Sequence, residues 1–172
     1  MNYKQEFKKA VLPCLKSQAV KVKLTEKEQK KIYKTVLDII KAKGKEKGYN
    51  YDNKKMKTRF YTGLAGEMAV QKLIKKEFID LTVGNSNYYN HADLKKVGIN
   101  VGVKTIKYGN FPVIHNNAKR PEIICMITGV DTVYILGLAT KDVLNKYQDD
   151  KYILSPWLRK KGTKTCFYGF DY

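Results

Sequence analysis

Two stretches constrain this chain more than any others: Glu122–Thr128 (EIICMIT) and Thr132–Leu138 (TVYILGL). Both are near-continuous apolar runs. A strand that is apolar on both faces must be covered on both faces, so these two read as buried central strands that need helices around them. The rest of the sequence offers such helices. Thr25-Glu26-Lys27-Glu28 has the form of a capping box. It opens a helix with Ile32, Val36, Ile39 and Ile40 at helical spacing and Gly44 and Gly48 at its end. A second helix is expected from about Thr58 to Lys76, with Leu64, Met68, Leu73 and Ile74 on its apolar side. Strands are expected at 78–83, 92–94, 99–106 and 165–170, and a short helix capped by Thr140 runs through Tyr147. Helix, several strands, then helix and strand predict an α/β (α+β) layered domain.

The charge says what such a domain meets. Its 172 residues carry 34 Lys and Arg against 16 Asp and Glu, a net +18. Residues 1–56 hold more than half of that excess, net +10, and read as a basic N-terminal helical extension to a core at 57–172. A positive excess this large exceeds what solubility requires and favours a nucleic-acid backbone. Only Arg59, Arg120 and Arg159 are arginines. Lysine tracks phosphates as a hydrated point charge and reads bases poorly, so little sequence specificity is expected. Residues 44–57, rich in Lys, Gly, Tyr and Asn, read as a mobile basic loop.

Several classes are excluded by what the sequence lacks. No apolar run approaches the roughly 18 residues of a membrane span. The basic start is followed by an apolar stretch that Pro13, Lys16 and Gln18 interrupt, so no secretory signal is expected. Cys14, Cys125 and Cys166 are odd in number and lack CxxC spacing, which argues against zinc or a disulfide framework and for a reducing, cytoplasmic setting. No GxxxxGK[ST] phosphate loop and no Ser-His-Asp set is present.

A candidate site lies between Gly63 and Thr105. Along 99–106, Ile99, Val101, Val103 and Thr105 face one way, and Asn100, Gly102, Lys104 and Ile106 the other. Lys95-Lys96-Val97-Gly98 can turn the chain back, setting Asp93 on a preceding strand near Gly102. Glu67 sits on the second helix, where Gly63 and Gly66 cost helix propensity but permit close approach. Mg²⁺, or Mn²⁺, needs only one or two carboxylates beside a substrate phosphate. Asp93 would be the main metal ligand, Glu67 a second, and Lys104 the group that orients the attacking water. Against this, Glu67 taken alone reads better as a surface helix glutamate, and Asp93 reads equally as a turn residue. His91 could touch a phosphate. Lys107, His115, Asn117, Lys119 and Arg120 form a polar basic segment expected to contact the nucleic-acid backbone. Tyrosines such as Tyr88, Tyr89, Tyr108 and Tyr168 could stack on bases, or simply fill the core.

The pattern Gly63-x-x-Gly66-Glu67, then Asp93, then Gly102-Val103-Lys104-Thr105 resembles the PD-(D/E)xK, restriction-endonuclease-like nuclease superfamily. The resemblance covers about 57–172. It implies a central mixed β-sheet flanked by helices, Mg²⁺-dependent hydrolysis of duplex or branched DNA, and a homodimer, in a small phage- or bacterial-type protein acting in the cytoplasm, including that of a viral host. By position Glu67, Asp93 and Lys104 match the family. Gly102 departs from it, standing where the family carries Glu, Asp or Gln. Glu67 is then the better substitute for the missing acid and Glu122 the weaker. The other readings are a nuclease fold that has lost cleavage and only binds DNA, and an RNA-binding or RNA-cleaving protein.

Overall fold

A computed structural model describes residues 3–43, 53–81, 92–153 and 155–166. Helix α1 (Tyr3–Ser17) leads into strand β1 (Val20–Lys23) and helices α2 (Glu26–Lys43) and α3 (Asn53–Ile74). A 3₁₀ turn (Asp93–Val97) precedes β2 (Gly102–Lys107), β3 (Val113–His115), β4 (Glu122–Thr128) and β5 (Thr132–Ala139). Helices α4 (Lys141–Lys146) and α5 (Pro156–Lys160) and strand β6 (Thr163–Thr165) complete the described chain. The main sheet has the order β1-β5-β4-β2; β2 runs parallel to β4 and the other pairs are antiparallel. Strands β3 and β6 form a separate ribbon.

The unbroken apolar character of β4 and β5 now has its cause. Cys125 and Ile127 of β4, with Val133 and Ile135 of β5, pack beneath α2 and α3 beside Ile32, Val36 and Val70. Ile124 and Met126, with Leu136, face the opposite way, into a second core with Phe7 and Val11 of α1 and Leu144 of α4. The sheet is mixed and flanked by helices on both faces. The three cysteines are buried. Burial pushes the Cys125 thiol up to about 12.

Local signals hold where the groups involved lie close in sequence. Thr25 and Glu28 form the reciprocal capping box: the Thr25 N–H donates to Glu28 Oε2 (2.6 Å), and the Glu28 N–H to Thr25 Oγ1 (3.3 Å). Glu28 also accepts from Lys72 Nζ at 3.1 Å, joining α2 to α3. Thr140 caps α4 by accepting the Val143 N–H.

Other elements differ from expectation. Residues 92–94 are not a strand. Gly98, at φ 80°, ends a 3₁₀ turn there and donates to the carbonyls of Leu94 and Lys95. The next strand therefore starts at Gly102, leaving Ile99 46% exposed. No strand exists at 78–81, where the N–H groups of Phe78 and Ile79 donate to the Gln71 side chain instead. The 82–83 end of that expected strand, most of the 165–170 strand, residues 44–52 of the basic loop, His91, Tyr88, Tyr89 and Tyr168 fall outside the described residues. Residues 53–57, expected as loop, begin α3, which runs unbroken through the expected boundary at 56/57. Residues 3–43 are built into the sheet edge and both cores, rather than appended to them. Strand β1 (VKVK) carries a lysine at every second position, which conceals it as a strand.

Candidate carboxylate–lysine site

The site gathers where β2 and β4 begin. Asp93 heads the 3₁₀ turn, and its Oδ2 accepts the backbone N–H of Val103 at 2.5 Å. The turn is held against the strand by a second bond, from the Leu94 N–H to the Val101 carbonyl (3.1 Å). Asp93 is thus placed beside Gly102 by the mouth of the strand, although it does not come from a neighbouring strand. Burial raises its pKa, opposed by the Val103 N–H bond and by the charges of Arg120 and Lys104.

Glu67 reaches Asp93 from α3. The helix sits close to β2 because residue 66 is glycine: a Cβ there would lie 1.7 Å from Thr105 Oγ1. Glu67 keeps a partly open surface, yet enough protein surrounds it that burial, then the charge of Asp93, pushes its pKa to about 8.

The third carboxyl comes from Glu122. In the parallel register Gly102 lies directly beside Glu122, and the two share a sheet face with Lys104. A Cβ built on Gly102 would lie 2.2 Å from Glu122 Oε2 and 2.8 Å from its Cδ. The Glu122 carboxylate therefore fills the space a side chain at 102 would need. Burial raises its pKa; Lys104 lowers it, Asp93 raises it and Arg120 lowers it. Glycine at 102 on β2 leaves the room that the glutamate at 122 on β4 fills. Sequence reasoning ranked Glu122 the weaker substitute. The signal that favours it is a lone acid at the head of an otherwise apolar buried strand.

Lys104 is half-buried, and its Nζ donates to the Val113 carbonyl at 2.7 Å, which fixes the long side chain across from Glu122. Arg120 is also half-buried and belongs to this cluster through its charge on Asp93 and Glu122. The other residues expected to contact nucleic acid lie in two places. Lys107 is exposed at the end of β2, beside Thr58 and Arg59 of α3. His115, Asn117 and Lys119 are exposed around the β3–β4 connection. There His115 Nδ1 hydrogen-bonds Thr163 Oγ1 (2.9 Å), and Asn117 accepts from Gln148 (2.9 Å).

The donor set suits a hard divalent cation. Asp93 and Glu122 offer only oxygen, and burial raises the pKa of both although Lys104 and Arg120 partly offset it, so a further positive charge between them would relieve the remaining cost. Among the described residues no three His, Cys, Asp or Glu side chains converge closely enough to cage a metal alone. No family model, curated protein or solved structure matches this chain.

Proposed function

We propose that the chain is a metal-dependent endodeoxyribonuclease of the PD-(D/E)xK type whose second acid has moved from β2 to β4. The observation that carries this reading is the Glu122 carboxylate lying over Gly102, on the same face as Lys104 and within the electrostatic reach of Asp93. Asp93 and Glu122 are the residues that would hold Mg²⁺ or Mn²⁺, with Glu67 behind Asp93. Such an ion, when bound, lowers the pKa of its water and polarises the phosphate. Lys104, held by Val113, points a fixed cation at the reacting phosphate, where negative charge grows in the transition state. The charge of Arg120 favours the ionised forms of Asp93 and Glu122, against the burial that raises both pKa values. The surplus lysines supply backbone affinity without base reading.

The test is cleavage of supercoiled plasmid and of a branched duplex with Mg²⁺, Mn²⁺ or EDTA. Wild type should cut only with metal. Asp93→Ala, Glu122→Gln and Lys104→Ala should each lose about 100-fold or more in rate while still binding DNA. Binding without cutting under every metal would leave a DNA-binding protein on a nuclease-like frame. Full cutting by the Glu122 variant would remove the acid assigned here.

A further inference from the structure

Two adjoining hollows open between α2, α3 and the far end of β2. The first, about 550 Å³, is lined by Lys55, Thr58, Arg59, Thr62, Thr105 and Lys107. These are three cations and three hydroxyls, with no acid among the described lining residues. Neither Arg59 nor Lys107 makes an ion pair among the described residues. Thr105 Oγ1 is buried without a hydrogen-bond partner among them. Such a lining fits a phosphate.

The second hollow, about 640 Å³, has a mostly apolar surface, with Lys30, Lys34 and Lys57 also on its lining. Tyr33, Leu37, Tyr61 and Val130 line it, and it shares Thr58, Thr62 and Lys107 with the first. Tyr33 is 51% and Val130 63% exposed, although both are large and apolar. Tyr61 is pinned in place by donating its hydroxyl to the Val130 carbonyl at 2.8 Å. An aromatic, apolar hollow that shares a wall with a cationic one matches the two ends of a nucleotide: a flat base and its phosphate. A base inside a duplex is stacked on both faces and cannot enter.

From these features we infer that the α3 groove holds one unpaired nucleotide of a nucleic-acid strand, its base against Tyr33 and its phosphate between Arg59 and Lys107. The groove is joined to the carboxylates through β2. Val103 binds Asp93, Thr105 lies two residues further on and Lys107 four. At about 3.3 Å per residue these are about 7 and 13 Å away. At the roughly 3.4 Å rise of a fully stacked strand that is about two to four nucleotides, and fewer for an extended one. This deepens the nuclease reading and rests on it for the substrate: a DNA with a single-stranded or splayed segment, rather than an uninterrupted duplex.

The test is binding alone, in EDTA, so it stands apart from cleavage. The intact chain is titrated by fluorescence anisotropy against a single-stranded DNA oligonucleotide and a blunt duplex of equal length, with thymidine monophosphate as competitor. The single strand should bind tighter than the duplex. Tyr33→Ala should weaken single-strand binding by about tenfold and leave duplex binding nearly unchanged, while Tyr33→Phe keeps wild-type affinity. Arg59→Ala with Lys107→Ala should weaken both and lower the salt slope by about two. Equal single-strand binding by Tyr33→Ala and wild type would overturn the base site. So would a preference for the blunt duplex. Competition by the mononucleotide as strong as that of the oligonucleotide would overturn the strand as occupant. None of these results bears on whether the carboxylates cut DNA, and absence of cutting leaves the binding pattern to be read by itself.

Discussion

Replacing Gly102 with alanine should separate stability from chemistry at the candidate site. The new Cβ would sit 2.2 Å from Glu122 Oε2 and 2.8 Å from Cδ, well inside contact distance. Both atoms are at the free end of a flexible side chain, so Glu122 can yield by turning aside. That costs about 0.5–1.5 kcal/mol if it leaves a preferred rotamer. Against it, alanine restricts the unfolded chain more than glycine does, which is worth about 0.4–1 kcal/mol where the backbone is ordinary. Gly102 is not among the glycines with positive φ, so this gain applies. The two nearly cancel. The melting temperature should stay within about 4 °C of wild type, at roughly 2–4 °C per kcal/mol for a chain of this size. Cleavage should nonetheless fall about 100-fold or more, because the displaced carboxylate is the one assigned to the metal. The assay is a double-mutant cycle of Gly102→Ala and Glu122→Gln, read by plasmid cleavage and thermal melting. Glu122→Gln should lose its activity alone, and adding Gly102→Ala should cost little more, a strongly non-additive pair. Independent, additive losses would refute the coupling of glycine to glutamate, as would full activity in Gly102→Ala.

Two further predictions follow from the same contacts. Gly66→Ala should be far more harmful to the fold, because its Cβ would meet Thr105 Oγ1 at 1.7 Å and Thr105 Cβ at 2.8 Å, on a β-branched side chain with little freedom. A loss of about 2–3 kcal/mol is expected in denaturant unfolding, part of it restored by Thr105→Ala; an unchanged midpoint would mean that α3 is not packed as described. Glu67→Gln should alter the pH dependence of stability in EDTA. The folded pKa of Glu67, about 8, lies above the ordinary value of 4.5, so its contribution is fully present below pH 4.5 and is lost as pH rises towards 8. Wild type should lose on the order of 3–4 kcal/mol relative to Glu67→Gln across that window, and parallel stability curves would show that Glu67 is not held in its neutral form.

What could be read without the structure was local or compositional. The capping box at Thr25 and Glu28 and the Thr140 cap each need groups only three residues apart. The apolar runs of β4 and β5 announced a sheet covered on both sides, since each residue's burial follows from its own chemistry. Net charge, the lack of a membrane-length apolar run and the odd number of cysteines were equally plain, and Lys104 stood out as a cation in an apolar alternating strand. Strand β1 and the place of α1 were hidden, because a lysine-alternating VKVK segment becomes a strand only when β5 supplies its hydrogen-bond partners. The site's decisive feature was hidden for the same reason. Taken along the chain, Gly102 only departs from the acid that the resemblance expects there. In three dimensions the parallel pairing of β2 with β4 joins residues twenty positions apart and puts Glu122 into the space that glycine leaves. Sequence determines which residues can be buried or charged; only the register of distant strands decides which carboxylate stands beside which lysine.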